Sequence, residues 1–186
     1  MGFFTTTAKA ISVAFDTTVL LAMSLIIASF LFFFHHTRYS LLLLGAMAGN
    51  ALLVEFFKII IASPRPLNGI IVEVGYSFPS GHTASSVVLF GVLVYFAWKH
   101  WGTMKARILT SGLCISIVVV VGFDRIYLNV HWFSDVLGAV FLGAFWVAFS
   151  IWLFNCLIAR SLEIHKITST TLESSHQTLG SVSYKR

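Results

Sequence analysis

Apolar residues in this chain fall into long runs separated by short polar stretches, with little of the alternation that marks a half-buried element. Five runs, Thr17 to Phe34, Tyr39 to Ile61, His82 to Trp98, Ile108 to Phe123 and Trp132 to Ile158, read as helices that cross a bilayer. The third and fourth are short for a hydrocarbon core of about 30 Å, so their ends are expected to draw in flanking polar residues. His35-His36-Thr37-Arg38 ends the first run, and Pro64 and Pro66 break the chain after the second. Before the first run, residues 1–16 mix Phe3, Phe4, Ile11, Val13 and Phe15 with threonines and Lys9, which predicts an interfacial or re-entrant helix. Residues 62–81 carry the Pro, Gly and Asn signals of a loop. Residues 160–186 are rich in Ser and Thr and are expected to form a disordered tail. The predicted fold is all-α: a polytopic transmembrane helical bundle over residues 17–159, with about five spans visible.

Composition sharpens this picture. Of 186 residues, 58% are hydrophobic and only 10% charged, well outside the range of a soluble domain. The net charge of +5 is spread along the chain and not gathered into a patch, which argues against a nucleic-acid partner. Cys114 and Cys156 lie within apolar runs, so neither a disulfide framework nor a metal site is expected from them. No basic segment followed by a cleavage site marks a removable signal peptide. In a five-span bundle, Arg38, Lys99, Lys105, Arg107, Arg160, Lys166, Lys185 and Arg186 share one side, and Lys9, Lys58, Arg65 and Arg125 the other. The positive-inside rule makes the first side, with the C-terminus, cytoplasmic, in a cell membrane. The sequence gives no oligomeric state.

Ionisable residues are costly beside apolar runs unless they are paired or used, and three clusters of them fall on the predicted outer face. Lys58 ends the second run, with Arg65 seven positions on, between Pro64 and Pro66. Lysine offers a point charge and arginine a planar fork of donors, both suited to a phosphate. Lys58 could equally snorkel to the interface or pair with Glu55. The second cluster is Pro79-Ser80-Gly81-His82-Thr83, opening the third run. A helix start there would favour an anion, Gly81 would admit a close ligand, and His82 could protonate a leaving oxygen. Ser80 could donate to that anion or simply cap the helix. The third cluster runs from Asp124 to Asp135 and holds Arg125 and His131. If a helix begins near His131, Asp135 falls one turn along the same face, where it could fix the imidazole tautomer and free Nε2. Arg125 would meet the same anion. Together these describe phosphoryl transfer. No Walker loop, His/Cys metal cluster or Asp-rich Mg²⁺ motif occurs, so neither a metal nor another cofactor is expected.

The set Lys58-x6-Arg65-Pro66, Pro79-Ser80-Gly81-His82 and Arg125-x5-His131-x3-Asp135 resembles the three-part signature of the type-2 phosphatidic acid phosphatase superfamily. The resemblance covers about residues 17 to 158. It implies a membrane phosphatase that acts on a lipid phosphate or diphosphate such as undecaprenyl diphosphate, phosphatidic acid or phosphatidylglycerophosphate. His131 would be the nucleophile and form a phosphohistidine, His82 the acid for the leaving group and Asp135 the partner that orients His131. Lys58, Arg65, Ser80, Gly81 and Arg125 would hold the phosphoryl group. Asp124 stands where that signature usually has a serine. Members commonly carry one more span than the five visible here, and the extra one would precede Met1. A weakly catalytic protein of the same fold that binds or transports lipid phosphates is the alternative. Gly138 and Gly143 read as sites of close helix packing.

Overall fold

The computed structural model describes residues 2–183, with side chains through Arg160. Among these residues every regular element is a helix: α1 (Phe3–Ala14), α2 (Thr17–Phe33), α3 (Thr37–Ile61), α4 (Gly81–His100), α5 (Met104–Tyr127) and α6 (Phe133–Ser183). A first compact unit, Met1–Ser150, contains the bundle, and the second, from Ile151, is the rest of α6.

Four helices are each long and apolar enough to cross a membrane: α3, α4, α5 and the Phe133–Arg160 part of α6. A fifth crossing exists only as the pair α1 and α2, which is bent by 48° at its break. The reason is length. The 17 residues of α2 rise only about 25 Å, short of the hydrocarbon thickness. The break comes at Asp16, whose side chain caps α2 by accepting from the Thr18 N–H at 2.8 Å. As expected from their short apolar runs, α4 and α5 extend past them. α4 reaches back to Gly81, and α5 carries Asp124 and Arg125 in its final turn. Over residues 160–183 α6 continues as helix. Ser and Thr content alone does not stop a helix that meets no proline and no glycine before Gly180.

α4 is the most enclosed span, packing against α2, α3 and α5. Its Ala84 meets Val54 of α3 and Ala139 of α6 in one buried cluster. The Asn50 amide of α3 donates to the Ser85 hydroxyl of α4 at 3.2 Å, the kind of polar link that joins helices where water is absent. Gly143 lets α6 approach α4 closely, since a Cβ there would stand 2.9 Å from Val87 Cβ. Gly138 makes room instead for a loop residue, the ring of Phe78.

Two connections lie at one end of this bundle. Residues 62–80 follow α3, whose last carbonyls are closed off by Ala62 in the left-handed region, φ 48°. Residues 128–132 join α5 to α6. The two are stitched together: the Asn129 amide donates to Leu67 O at 2.8 Å, Ile70 N–H to Leu128 O at 2.9 Å and the Trp132 indole to Pro64 O at 2.9 Å. Ser80 N–H donates to Asp135 O at 3.2 Å, so the start of α4 is tied to the start of α6.

Candidate functional site

Arg65 is aimed by the loop that carries it. Its guanidinium donates to Gly75 O at 3.1 Å, Val74 O at 3.3 Å and Val130 O at 2.9 Å, so three carbonyls from both connections fix its plane. Nη1 also lies 3.3 Å from His131 Nε2 and 2.9 Å from Glu73 Oε2. Arg125 arrives from α5, fully buried, with Nη1 2.9 Å from Glu73 Oε1. One carboxylate is thus gripped by two guanidinium groups, with His131 Nε2 only 3.7 Å from Oε2. A planar acid held by two arginines against a histidine nitrogen occupies a ready-made oxyanion site.

His131 is buried, and its other nitrogen, Nδ1, is 3.4 Å from Asp135 Oδ2. The same oxygen accepts from Trp132 N–H at 2.8 Å and from the Ser77 hydroxyl in a short hydrogen bond. α6 begins at Phe133, so His131 stands before the helix and not in its first turn. Trp132 and Asp135 bind reciprocally, Asp135 N–H donating to Trp132 O at 3.0 Å, and this cap brings Asp135 back to the imidazole.

Ser80 is the cap of α4. Its Oγ accepts from Thr83 N–H at 3.5 Å and from the Thr83 hydroxyl at 3.1 Å, which occupies it locally. Gly81 is pressed against α2, where an added Cβ would stand 3.2 Å from Thr17 Oγ1. His82 turns Nε2 towards Asp16 Oδ2 at 3.4 Å. Lys58 does not join the cluster; it pairs with Glu55 one turn earlier at 3.1 Å. The pairing is local because both side chains leave the same face of α3. Asp124 points its Oδ2 at Arg125, accepting from Nε at 3.2 Å and, more closely, from Nη2. Its buried Oδ1 has no hydrogen-bond partner.

A model of the PAP2 superfamily matches residues 39–158. The chain belongs to this superfamily. Phosphatidylglycerophosphatase B of Bacillus subtilis (strain 168) is 34% identical over 129 residues, which are 68% of this chain and 64% of that protein. The chain therefore spans less than two thirds of that relative's length. The crystal structure of a transmembrane PAP2 type phosphatidylglycerolphosphate phosphatase from Bacillus subtilis aligns with a TM-score of 0.76 at 29% identity, over 82% of this chain and 77% of that one. A PAP2 member with four to five candidate spans is an integral membrane protein.

Some acidic and hydroxyl groups that touch the motif residues were not singled out by the sequence reading. They are Glu73, Ser77 and Asp16. Glu73 carried a signal all the same. It is one of only seven acidic residues in the chain and interrupts an apolar stretch, Ile70-Ile71-Val72 before it and Val74 after it.

Proposed function

We propose that this PAP2 member is a lipid phosphatase that works without a metal, through a phosphohistidine on His131. The observation that carries this is the grip of Arg65 and Arg125 on one carboxylate beside His131 Nε2. Substrate would displace Glu73 and put its phosphoryl oxygens between the two guanidinium groups. The Nε2 lone pair of His131 attacks phosphorus while the bond to the lipid oxygen breaks and His82 gives that oxygen a proton. Asp135 holds the Nδ1 proton and stabilises the charge that develops on the ring. Water then attacks phosphorus, its proton passes to His82, and orthophosphate leaves with His131 restored. Gly81 and the first N–H groups of α4 would add donors to the phosphoryl group, and Lys58 would join them on leaving Glu55.

The 34% identity supports phosphatidylglycerophosphate as the first substrate to try, ahead of undecaprenyl diphosphate and phosphatidic acid. The distribution of basic residues supports a site on the outer face of the cell membrane, with the C-terminus cytoplasmic. The test is phosphate release from these three lipids in detergent with excess EDTA. Release that persists in EDTA, with an acid-labile and base-stable phosphoprotein in quenched reactions, is the expected result. Release that needs an added divalent cation would overturn the metal-free mechanism.

One observation favours the weakly catalytic lipid-phosphate binder as a second reading. Glu73 and Asp124 together already balance Arg65 and Arg125 in charge. Tight lipid-phosphate binding with no release from any of the three lipids would select it.

Glu73 itself is expected to compete with the phosphoryl group. Glu73→Gln should lower the Ki for orthophosphate about tenfold, because it weakens by about 1.4 kcal/mol in total the contacts to Arg65 and Arg125 that product must displace. An unchanged or higher Ki, from inhibition of phosphate release, would show that the phosphoryl group binds elsewhere.

A further inference from the structure

Asp16 lies in the break between α1 and α2, ahead of the residues 39–158 that match the superfamily. Its two carboxylate oxygens are divided between two tasks. Oδ1 is taken up by the cap of α2, accepting from the Thr18 N–H at 2.8 Å and the Thr18 hydroxyl at 2.5 Å. That fixes the carboxyl plane and leaves Oδ2 turned to His82 Nε2 at 3.4 Å. The approach is built from the other side as well. Gly81 allows the start of α4 to lie against Thr17, and a Cβ at Gly81 would come within 3.2 Å of the Thr17 hydroxyl. His82 is mostly buried, so few waters can substitute for Asp16. Among the described residues, Asp16 is the acidic side chain in contact with this ring.

We propose that Asp16 is a positioning residue for His82: it accepts the Nε2 proton, sets the ring orientation and leaves Nδ1 as the nitrogen that protonates the leaving oxygen. The inference rests on the proposed phosphatase reading. In that reaction the bond from phosphorus to the lipid oxygen breaks as the bond to His131 Nε2 forms. The proton on His82 Nδ1 passes to the departing oxygen and yields the free alcohol, while Asp16 stays ionised. The break between α1 and α2 would then serve the chemistry of a site whose other parts come from α3 to α6.

The discriminating property is dependence on the leaving group. An alkoxide must be protonated as it leaves, whereas p-nitrophenolate leaves readily as an anion. Asparagine caps a helix about as well as aspartate but carries no charge, so Asp16→Asn isolates the second task. In the full chain in detergent, Asp16→Asn should lower kcat on the lipid phosphomonoester about 10²-fold, the lower end of what a general acid contributes, with little change in KM. The rate on p-nitrophenyl phosphate should fall far less, and Asp16→Glu should recover part of the lipid rate. The ratio of the two rates in one sample does not depend on how much of the protein is folded. Equal losses on both substrates, or no loss on either, would overturn the role of Asp16. Wild type that hydrolyses neither substrate would sink the phosphatase reading and this proposal with it. An equal Asp16→Asn loss on both substrates beside an active wild type would sink this proposal alone.

Discussion

Replacing His131 by alanine is expected to lower phosphate release by at least about 10³-fold while lipid-phosphate binding survives. His131 is the residue whose ring nitrogen lies against both Arg65 and the carboxylate that Arg65 and Arg125 hold. His82 is turned to Asp16 and cannot take its place without rebuilding the start of α4. The guanidinium groups that would bind the phosphoryl oxygens are fixed by carbonyls and by carboxylates other than Asp135, so they remain when the imidazole is gone. The variant should therefore lose kcat and the phosphoprotein intermediate, with binding to phosphatidylglycerophosphate micelles within a few-fold of wild type. Residual release above a tenth of the wild-type rate would mean that water, or another group, attacks phosphorus directly. The phosphohistidine step would then be wrong even if the lipid is right.

Much of this arrangement could be read from the residue order, for definite physical reasons. Transmembrane helices must satisfy their own backbone hydrogen bonds, so they appear as apolar runs, and α3 to α6 were legible on that ground. Arg65, His82, Arg125, His131 and Asp135 stood out because ionisable groups beside such runs are rare and expensive. The Lys58 to Glu55 pair was open to view as a local alternative, since i and i+3 side chains meet on any helix. What escaped was set by folding at long range. Ser77 reaches Asp135 across 58 positions, and Glu73 reaches Arg125 across 52. No spacing rule connects residues so far apart. The division of α1 from α2 had a signal, an aspartate ahead of Thr17-Thr18, but that signal marks a helix start and says nothing of the histidine facing it.

Arg125→Ala is expected to damage both folding and activity, and a second substitution can separate the two effects. Arg125 is fully buried and binds Glu73 through Nη1 and Asp124 through Nε and Nη2. Removing it strands Asp124, which is only 4% exposed and already has one oxygen without a partner. Breaking a buried pair in this way costs about 3–5 kcal/mol, because the remaining carboxylate keeps its charge in a medium that cannot solvate it. Activity should fall about 10²–10³-fold in the molecules that do fold, the size of effect seen when one preorganised donor to a developing charge is removed. Pairing the change with Asp124→Asn takes away the stranded charge. The double variant should regain much of the lost thermal stability in detergent, yet release phosphate no faster than Arg125→Ala alone. If activity returned along with stability, Arg125 would serve only to neutralise Asp124, and the phosphoryl group would have to be held by Arg65 and other donors. A lysine at position 125 tests the same point from the other side. It restores a charge but cannot reach Glu73 and Asp124 together through a planar fork, so stability should recover more than catalysis does.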